Sequence, residues 1–260
     1  MPNGAAQQTD TASSVLLLGV VSFEEAQQRE RELLAGASNL SPGMAQVLVW
    51  RTAKSIIVPR GMPSRDRYDE AVRAMTDRGF PVYERDTGGD LTPQSPGMIN
   101  LSMVFRLDGA SPNIKGAYLR LVQPVIEFLR HQYDLAADVC AVPGAFCDGA
   151  YNIAYQGKKL AGTAQRWRLI GGEGPSRQAA VLGHVALMAD VDLVPAIDAL
   201  NAFYAVAGID RHIELDKHIT LTRLIGRDAL APGDVALELS RFIAQSQSLA
   251  PSLAPSVPGA

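Results

Sequence analysis

A run of strand character at 150–156 is followed almost at once by a second at 159–167, with Gln156-Gly157 at the turn between them. A connection that short joins antiparallel neighbours, so this stretch is committed to a β-hairpin. A third run at 179–189 has the same character and extends it to a three-stranded unit. Further strand patterns stand at 15–21, 45–51, 55–59, 82–85, 98–107 and 137–142. Helical patterns stand at 23–35, 65–78, 113–131, 193–204 and 232–245. Ser22 is placed to cap the first helix and Ser64 the second, which Gly79 ends; Pro232 suits the first turn of the last. The runs 45–51 and 55–59 are expected to pair with each other, and 98–107 alternates like a strand with one buried face. Helices falling between groups of strands give an α+β, or mixed α/β, class. Residues 1–13 are small and polar, and 246–260 are Ser, Ala and Pro; both are expected to be disordered, leaving 14–245 as one folded body.

Composition removes several function classes. Of 260 residues 47% are hydrophobic and 20% charged, an ordinary core-forming balance. A net charge of −3 argues against a general affinity for nucleic acid, although an acidic carrier protein can still dock on a local basic patch. The cysteines Cys140 and Cys147 are too few for a disulfide framework, and no spacing of His, Cys, Asp or Glu suggests a metal. Free thiols fit a reducing, cytoplasmic setting. The apolar run at 15–21 has no basic residue ahead of it, the first being Arg29, and reads as a core strand rather than a leader. Nothing is long enough to span a membrane.

The chemistry-bearing residues cluster around the hairpin. Cys147 lies in 142–149, a loop by its Pro and Gly content, immediately before the first hairpin strand. The tight turn folds Lys159 back beside Ala154 and Tyr155 on that strand, while Lys158 must point to the opposite face and into solvent. A nearby cation favours the thiolate and can hold a developing oxyanion, so the pair points to nucleophilic acyl transfer. From the residues alone an inert, half-buried thiol and a surface lysine remain open for the two positions. The loop Arg85-Asp86-Thr87-Gly88-Gly89-Asp90 fits neither nucleotide-binding glycine motif; its paired glycines predict close backbone approach to a ligand or to another strand. His184 stands in an apolar strand pattern, where a satisfied core histidine is the commoner outcome and a substrate contact or general base the alternative. His131, His212 and His218 do not cluster with it in sequence.

Taken together these segments resemble the biotin/lipoate protein ligase and octanoyltransferase superfamily. The resemblance rests on Arg85 before Gly88-Gly89, on Gly97-Met98-Ile99-Asn100 entering a strand, on Gly157-Lys158-Lys159-Leu160-Ala161-Gly162-Thr163-Ala164-Gln165-Arg166, and on Lys217-His218-Ile219-Thr220-Leu221-Thr222. It implies a mostly antiparallel sheet flanked by helices, like the catalytic domain of biotin protein ligase. Lipoate ligases of this superfamily usually continue Gly-Gly into a third glycine, where this chain has Asp90, and carry a C-terminal accessory domain where it has a Pro/Ser tail. The run Cys147-Asp148-Gly149-Ala150-Tyr151-Asn152-Ile153 before Gly157-Lys158-Lys159 resembles instead the cysteine-dependent octanoyl-[glycine-cleavage H protein]:protein N-octanoyltransferases, with Asp148 and Asn152 as differences.

The resemblance implies Cys147 as nucleophile and Lys159 as its cationic partner, with Arg85, Gly88, Gly89, Asn100, Gly162, Thr163, Ala164 and His184 around the substrate. It implies an octanoyl or lipoyl cargo and, as partners, lipoyl-domain proteins: the glycine-cleavage H protein and the E2 subunits of 2-oxoacid dehydrogenases. No cofactor is expected on this reading. An ATP- and Mg-dependent ligase with a separate accessory domain and a non-catalytic acyl- or carrier-binding homologue are the alternatives. Burying about six methylenes of an octanoyl chain yields about 5 kcal/mol, which calls for an apolar channel, expected from Leu101, Met103, Leu160 and Ala161.

Overall fold

The computed structural model describes residues 14–108, 113–173, 177–226 and 230–246. The terminal segments expected to be disordered lie outside them, apart from Ser246, which closes the last helix. The strands are β1 (Ser14–Val20), β2 (Ala45–Arg51), β3 (Ser55–Pro59), β4 (Val82–Arg85), β5 (Thr92–Gln94), β6 (Met98–Asp108), β7 (Asp138–Cys140), β8 (Asn152–Tyr155), β9 (Lys158–Gly171) and β10 (Gln178–Met188). The helices are α1 (Phe23–Gly36), α2 (Tyr68–Asp77), α3 (Ile114–Tyr133), α4 (Leu193–Val206), α5 (Leu221–Ile225) and α6 (Pro232–Ser246).

Seven strands form one sheet in the order β1-β2-β6-β10-β9-β8-β7, and β4-β3-β5 form a second. Every pair in the large sheet is antiparallel except β1 with β2. A parallel pair needs a crossover, and α1 supplies it; α2 does the same for the parallel pair β3 and β4. The hairpin turn is as the sequence requires: Gln156 and Gly157 have φ of 49° and 74°, the two left-handed positions of a type I′ turn. Ala154 faces Lys159 and Tyr155 faces Lys158, and β10 extends the hairpin in unbroken register with β9 from Ala179 to Leu187, after a shift at Gln178.

The large sheet is covered on both faces. Leu121, Val125 and Phe128 of α3 and Leu239 and Ile243 of α6 pack against Val47, Leu101, Met103 and Val185. On the other face Leu34 of α1, with Ala37 and Leu40 just after it, packs against Val104 and Leu182, and Phe23 and Ala26 pack against Leu48, Trp50 and Ile57. The small sheet is held by α2 and α4 through Met75, Leu200 and Phe203.

Four sequence expectations need correction. Strands β2 and β3 have the expected bounds but do not pair: β2 finds partners on both edges in β1 and β6, and β3 passes to the second sheet. Strand β6 is buried on both faces from Met98 to Phe105 rather than alternating, because helices cover both sides of the sheet. Ser64 does not cap α2. Its hydroxyl donates to Gly61 O and closes a separate 3₁₀ turn, Met62–Ser64, while left-handed Arg67 precedes the helix. Strand β7 is shorter than the predicted 137–142.

Candidate active site

The loop carrying Cys147 is held by three elements. Cys147 has φ of 46°, a left-handed conformation that a side chain other than Asn, Asp or Gly adopts rarely, and its surroundings over-determine it. From β9, the Lys159 ammonium donates to Phe146 O and, at 2.8 Å, to Cys147 O. From β8, Asn152 Nδ2 donates to the same Cys147 oxygen at 3.0 Å. From the segment before α5, His218 Nε2 accepts the Phe146 N–H at 3.1 Å and its ring stacks on Phe146 at 4.7 Å. With Nε2 an acceptor, the ring proton sits on Nδ1 and is donated to Glu214 O at 3.0 Å. Burial, and then the charge of Lys159, pushes His218 down to about 4, so it serves as a neutral clamp.

Lys159 is fully buried, its ammonium 4.4 Å above the Phe146 ring. Burial pulls it down to about 8, against the opposing pull of Cys147, Asp148 and Asp90. Glycine at 162 is what the ammonium tolerates: a Cβ there would stand 3.1 Å from Nζ. Lys158 is exposed, as its place on the opposite face requires.

The second wall is the loop from Arg85 to Asp90. The buried Arg85 guanidinium winds this loop around itself, donating to Gly88 O at 2.9 Å, Asp90 O at 2.7 Å and Thr92 Oγ1 at 3.1 Å, and its charge lies close to the Cys147 side chain. Gly89 has φ of 105°, and a Cβ there would lie 2.8 Å from Arg85 Nη2 and 2.9 Å from Cys147 Sγ. The close approach predicted for the paired glycines is therefore to the thiol itself, and it is Gly89 that requires it. Arg211 ties the two loops together, meeting Asp90 at 2.7 Å and Asp148 at 3.3 Å, and the Tyr204 hydroxyl donates to Asp90 as well.

Cys147 opens onto a cleft of about 570 Å³ including its mouth. Of the residues singled out from sequence, Arg85, Asn100, Cys147, Gly162, Thr163, Ala164 and His184 line it. Lys159 lies behind the Cys147 loop, and Gly88 and Gly89 border a shallower outer hollow that also exposes Arg60 and Arg65. Asn100 is fixed by a reciprocal amide pair with Gln94 at 2.9 and 3.0 Å, and Thr163 donates to Tyr151 O at 3.0 Å. The expected channel is corrected: only Leu101 of its four residues lines the cleft. Met103, Leu160 and Ala161 belong to the core with α3, and a bulge in the β8–β9 ladder places both Leu160 and Ala161 there. Phe23, Trp50 and Ile57 from α1, β2 and β3 take their place.

Sequence reasoning missed His218, Arg211 and Glu30. His218 had a signal, since it sits in the Lys217–Thr222 element, yet Lys217 itself pairs with Glu214 and Asp216 away from the thiol. Arg211 and Glu30 had none. Among the described residues no group of three or more His, Cys, Asp or Glu could hold a metal, and no helix is long and apolar enough to cross a membrane.

Residues 23–222 match the family model of the lipoyl protein ligase A/B catalytic domain. The chain belongs to that family. An uncharacterized protein of Cupriavidus necator is 30% identical over 217 residues, covering 76% of this chain and 84% of its own. An octanoyl-[GcvH]:protein N-octanoyltransferase of Kyrpidia tusciae is 32% identical over 175 residues, covering 66% of this chain and 57% of its own. The chain thus spans about half the length of the octanoyltransferases it matches. Among solved structures, a Thermoplasma acidophilum protein described as a putative lipoate protein ligase with bound lipoic acid superposes with a TM-score of 0.61 at 18% identity, over 92% of this chain and 87% of that one. This lipoyl ligase-family domain therefore has the mixed α/β fold expected, with helices on both faces of a mostly antiparallel sheet.

Proposed function

We propose that this protein transfers an octanoyl or lipoyl group through a thioester on Cys147 to a lysine of a lipoyl-domain protein. The observation that carries the reading is the placement of Cys147 on the wall of the cleft, its sulfur beside Gly89 and the Arg85 guanidinium, with Lys159 on its own carbonyl. Related proteins are named octanoyl- and lipoyl-[GcvH]:protein transferases, which supports both cargo and partner.

The thiolate of Cys147 attacks the carbonyl of an acyl-lysine amide on the donor. The C–N bond breaks, the donor amine leaves with a proton, and the acyl group remains as thioester. An acceptor lysine amine then attacks the thioester; the new amide forms, the C–S bond breaks and the thiolate is restored. One acyl bond is exchanged for another at each step, so the reading needs no nucleotide or metal. Arg85 is the cation beside the sulfur. Lys159, behind the loop, holds Phe146 O and Cys147 O, and its charge favours the thiolate and the developing oxyanion. The acceptor approaches over the outer hollow, where exposed Arg60 and Arg65 suit an acidic carrier in the cytoplasm.

Intact-protein mass spectrometry after incubation with octanoylated H protein tests the reading. Wild type gains one octanoyl group and Cys147→Ala gains none. Transfer at full rate by Cys147→Ala refutes it.

A further inference from the structure

The acceptor reaches the sulfur as a lysine, and a lysine arrives as a cation, titrating near about 10.4. A carboxylate close to the sulfur is where such a group would be received. Glu30 lines the cleft but is already engaged. It is 5% exposed, and its Oε1 accepts from Ser102 Oγ at 2.5 Å and meets His184 Nε2 at 3.0 Å, while Trp50 Nε1 donates to the same hydroxyl at 3.0 Å. This polar end of the cleft is closed upon itself, one row of residues along the sheet beyond Gly162 and the Lys159 ammonium. Asp90 and Asp148 stand elsewhere: each directly follows in the chain one of the two residues that meet at the sulfur, Gly89 and Cys147.

Asp90 is held in place by the fold. Its Oδ1 accepts from Leu91 N at 2.8 Å and from the Tyr204 hydroxyl, so the carboxylate keeps its position whatever meets Oδ2. Oδ2 meets Arg211 Nε at 2.7 Å, without hydrogen-bond alignment. The other side-chain contacts of this guanidinium are long: Nη2 stands 3.3 Å from Asp148 Oδ1 and 3.3 Å from Ala145 O. Arg85 and Lys159, the other two cations at the thiol loop, are buried, whereas Arg211 is 30% exposed and lines the outer hollow beside Gly89 and Asp90. Of these three cations, Arg211 is the one that a group arriving from outside can replace.

We propose that Arg211 holds the place of the acceptor lysine: the incoming ammonium enters through the outer hollow, displaces the guanidinium and pairs with Asp90 and Asp148, one residue from the sulfur. This rests on the acyl-transfer reading of the same site. One cation replaces another, so the charge around the sulfur is kept, and no bond or proton moves in the exchange. A neutral or acidic side chain presented to the hollow cannot make it, which makes the carboxylate pair a determinant of specificity for lysine.

Calorimetry with unacylated H protein, and with the same protein carrying methionine in place of its acceptor lysine, reads the exchange with no acyl donor present. The readout is the ratio of the two dissociation constants, in which the general attraction of an acidic carrier for this face cancels. Arg211→Gln removes the competing cation and should raise the preference for the lysine form roughly fivefold, the size of a partly exposed ion pair. Adding Asp148→Asn to it should take that gain away. Arg211→Lys, which keeps the charge and loses the planar fork, should raise the preference less, and it decides the matter if a melting curve shows Arg211→Gln unfolded. Were Arg211 only a tie between loops, the preference would stay or fall when it is replaced. Either result, a gain that survives Asp148→Asn, or a carrier that binds in neither form overturns the proposal. In parallel, Cys147 is scored for an octanoyl adduct from octanoylated H protein. No adduct, with the preference moving as expected, removes the transfer reading and leaves the lysine site standing; an adduct with the preference unmoved does the reverse.

Discussion

Replacing Gly89 by alanine puts one methyl group between a guanidinium and a sulfur. Its Cβ would stand 2.8 Å from Arg85 Nη2 and 2.9 Å from Cys147 Sγ, where ordinary contact begins at 3.4 Å. Each neighbour must retreat by about 0.5 Å, and the φ of 105° adds strain on the order of 1–3 kcal/mol for any residue with a Cβ. In a domain of this size that is a fall in melting temperature of roughly 2–10 °C. Pushing Arg85 from the sulfur should also slow alkylation of Cys147 by iodoacetamide and its acylation by an acyl donor, roughly tenfold. The neighbouring Gly88→Ala is the control: its Cβ meets nothing within 4 Å, so melting should change by no more than about 0.5 kcal/mol of stability. Thermal melts and timed alkylation of both variants decide the matter. If Gly89→Ala melts and reacts like Gly88→Ala, the close approach of loop and thiol described above is wrong.

Lys159→Met removes the buried charge and the loop clamp together, and on the proposed chemistry single-turnover acylation of Cys147, followed by mass, should fall roughly 10²-fold. An unchanged rate would remove Lys159 from the chemistry. His218 titrates near 4 in the folded protein against an ordinary value of 6.5, so the unfolded chain binds more protons between those values and stability falls as pH drops through that window. The full effect is about 3 kcal/mol, and urea unfolding from pH 7 to 4 should show a steeper loss for wild type than for His218→Gln; parallel curves would contradict it. Charge reversal of Arg60 and Arg65 should raise KM for an acidic lipoyl-domain acceptor several-fold while leaving acylation by a small thioester donor unchanged; an unaltered KM places the docking face elsewhere.

What sequence revealed here follows from how local each signal is. The hairpin was legible because a two-residue turn permits one pairing, and Lys159 followed because the turn fixes its partner on β8. The helix flanks were legible where a cap is a local bond, as at Ser22, whose hydroxyl accepts from Glu25 N. Ser64 misled because a capping residue type also closes short turns. The pairing of β2 with β3 misled because adjacency in sequence says nothing of which edges other strands already occupy. The site divides the same way. Asp90, Asp148 and Asn152 stood out as departures from the resembled pattern, yet their meaning needed coordinates: Arg211 gathers the two acids, and Asn152 holds Cys147 O. The polar end of the cleft was invisible, because Glu30 sits in a charged helix where one more carboxylate reads as solvated surface.

The bent main chain under the thiol sets the proposed chemistry against the durability of the fold. A residue with φ of 46° would be more comfortable as glycine or asparagine. Cys147→Gly should therefore yield a chain that is inert toward acyl donors yet no less resistant to heat than wild type. The fold would be the calmer for losing that sulfur.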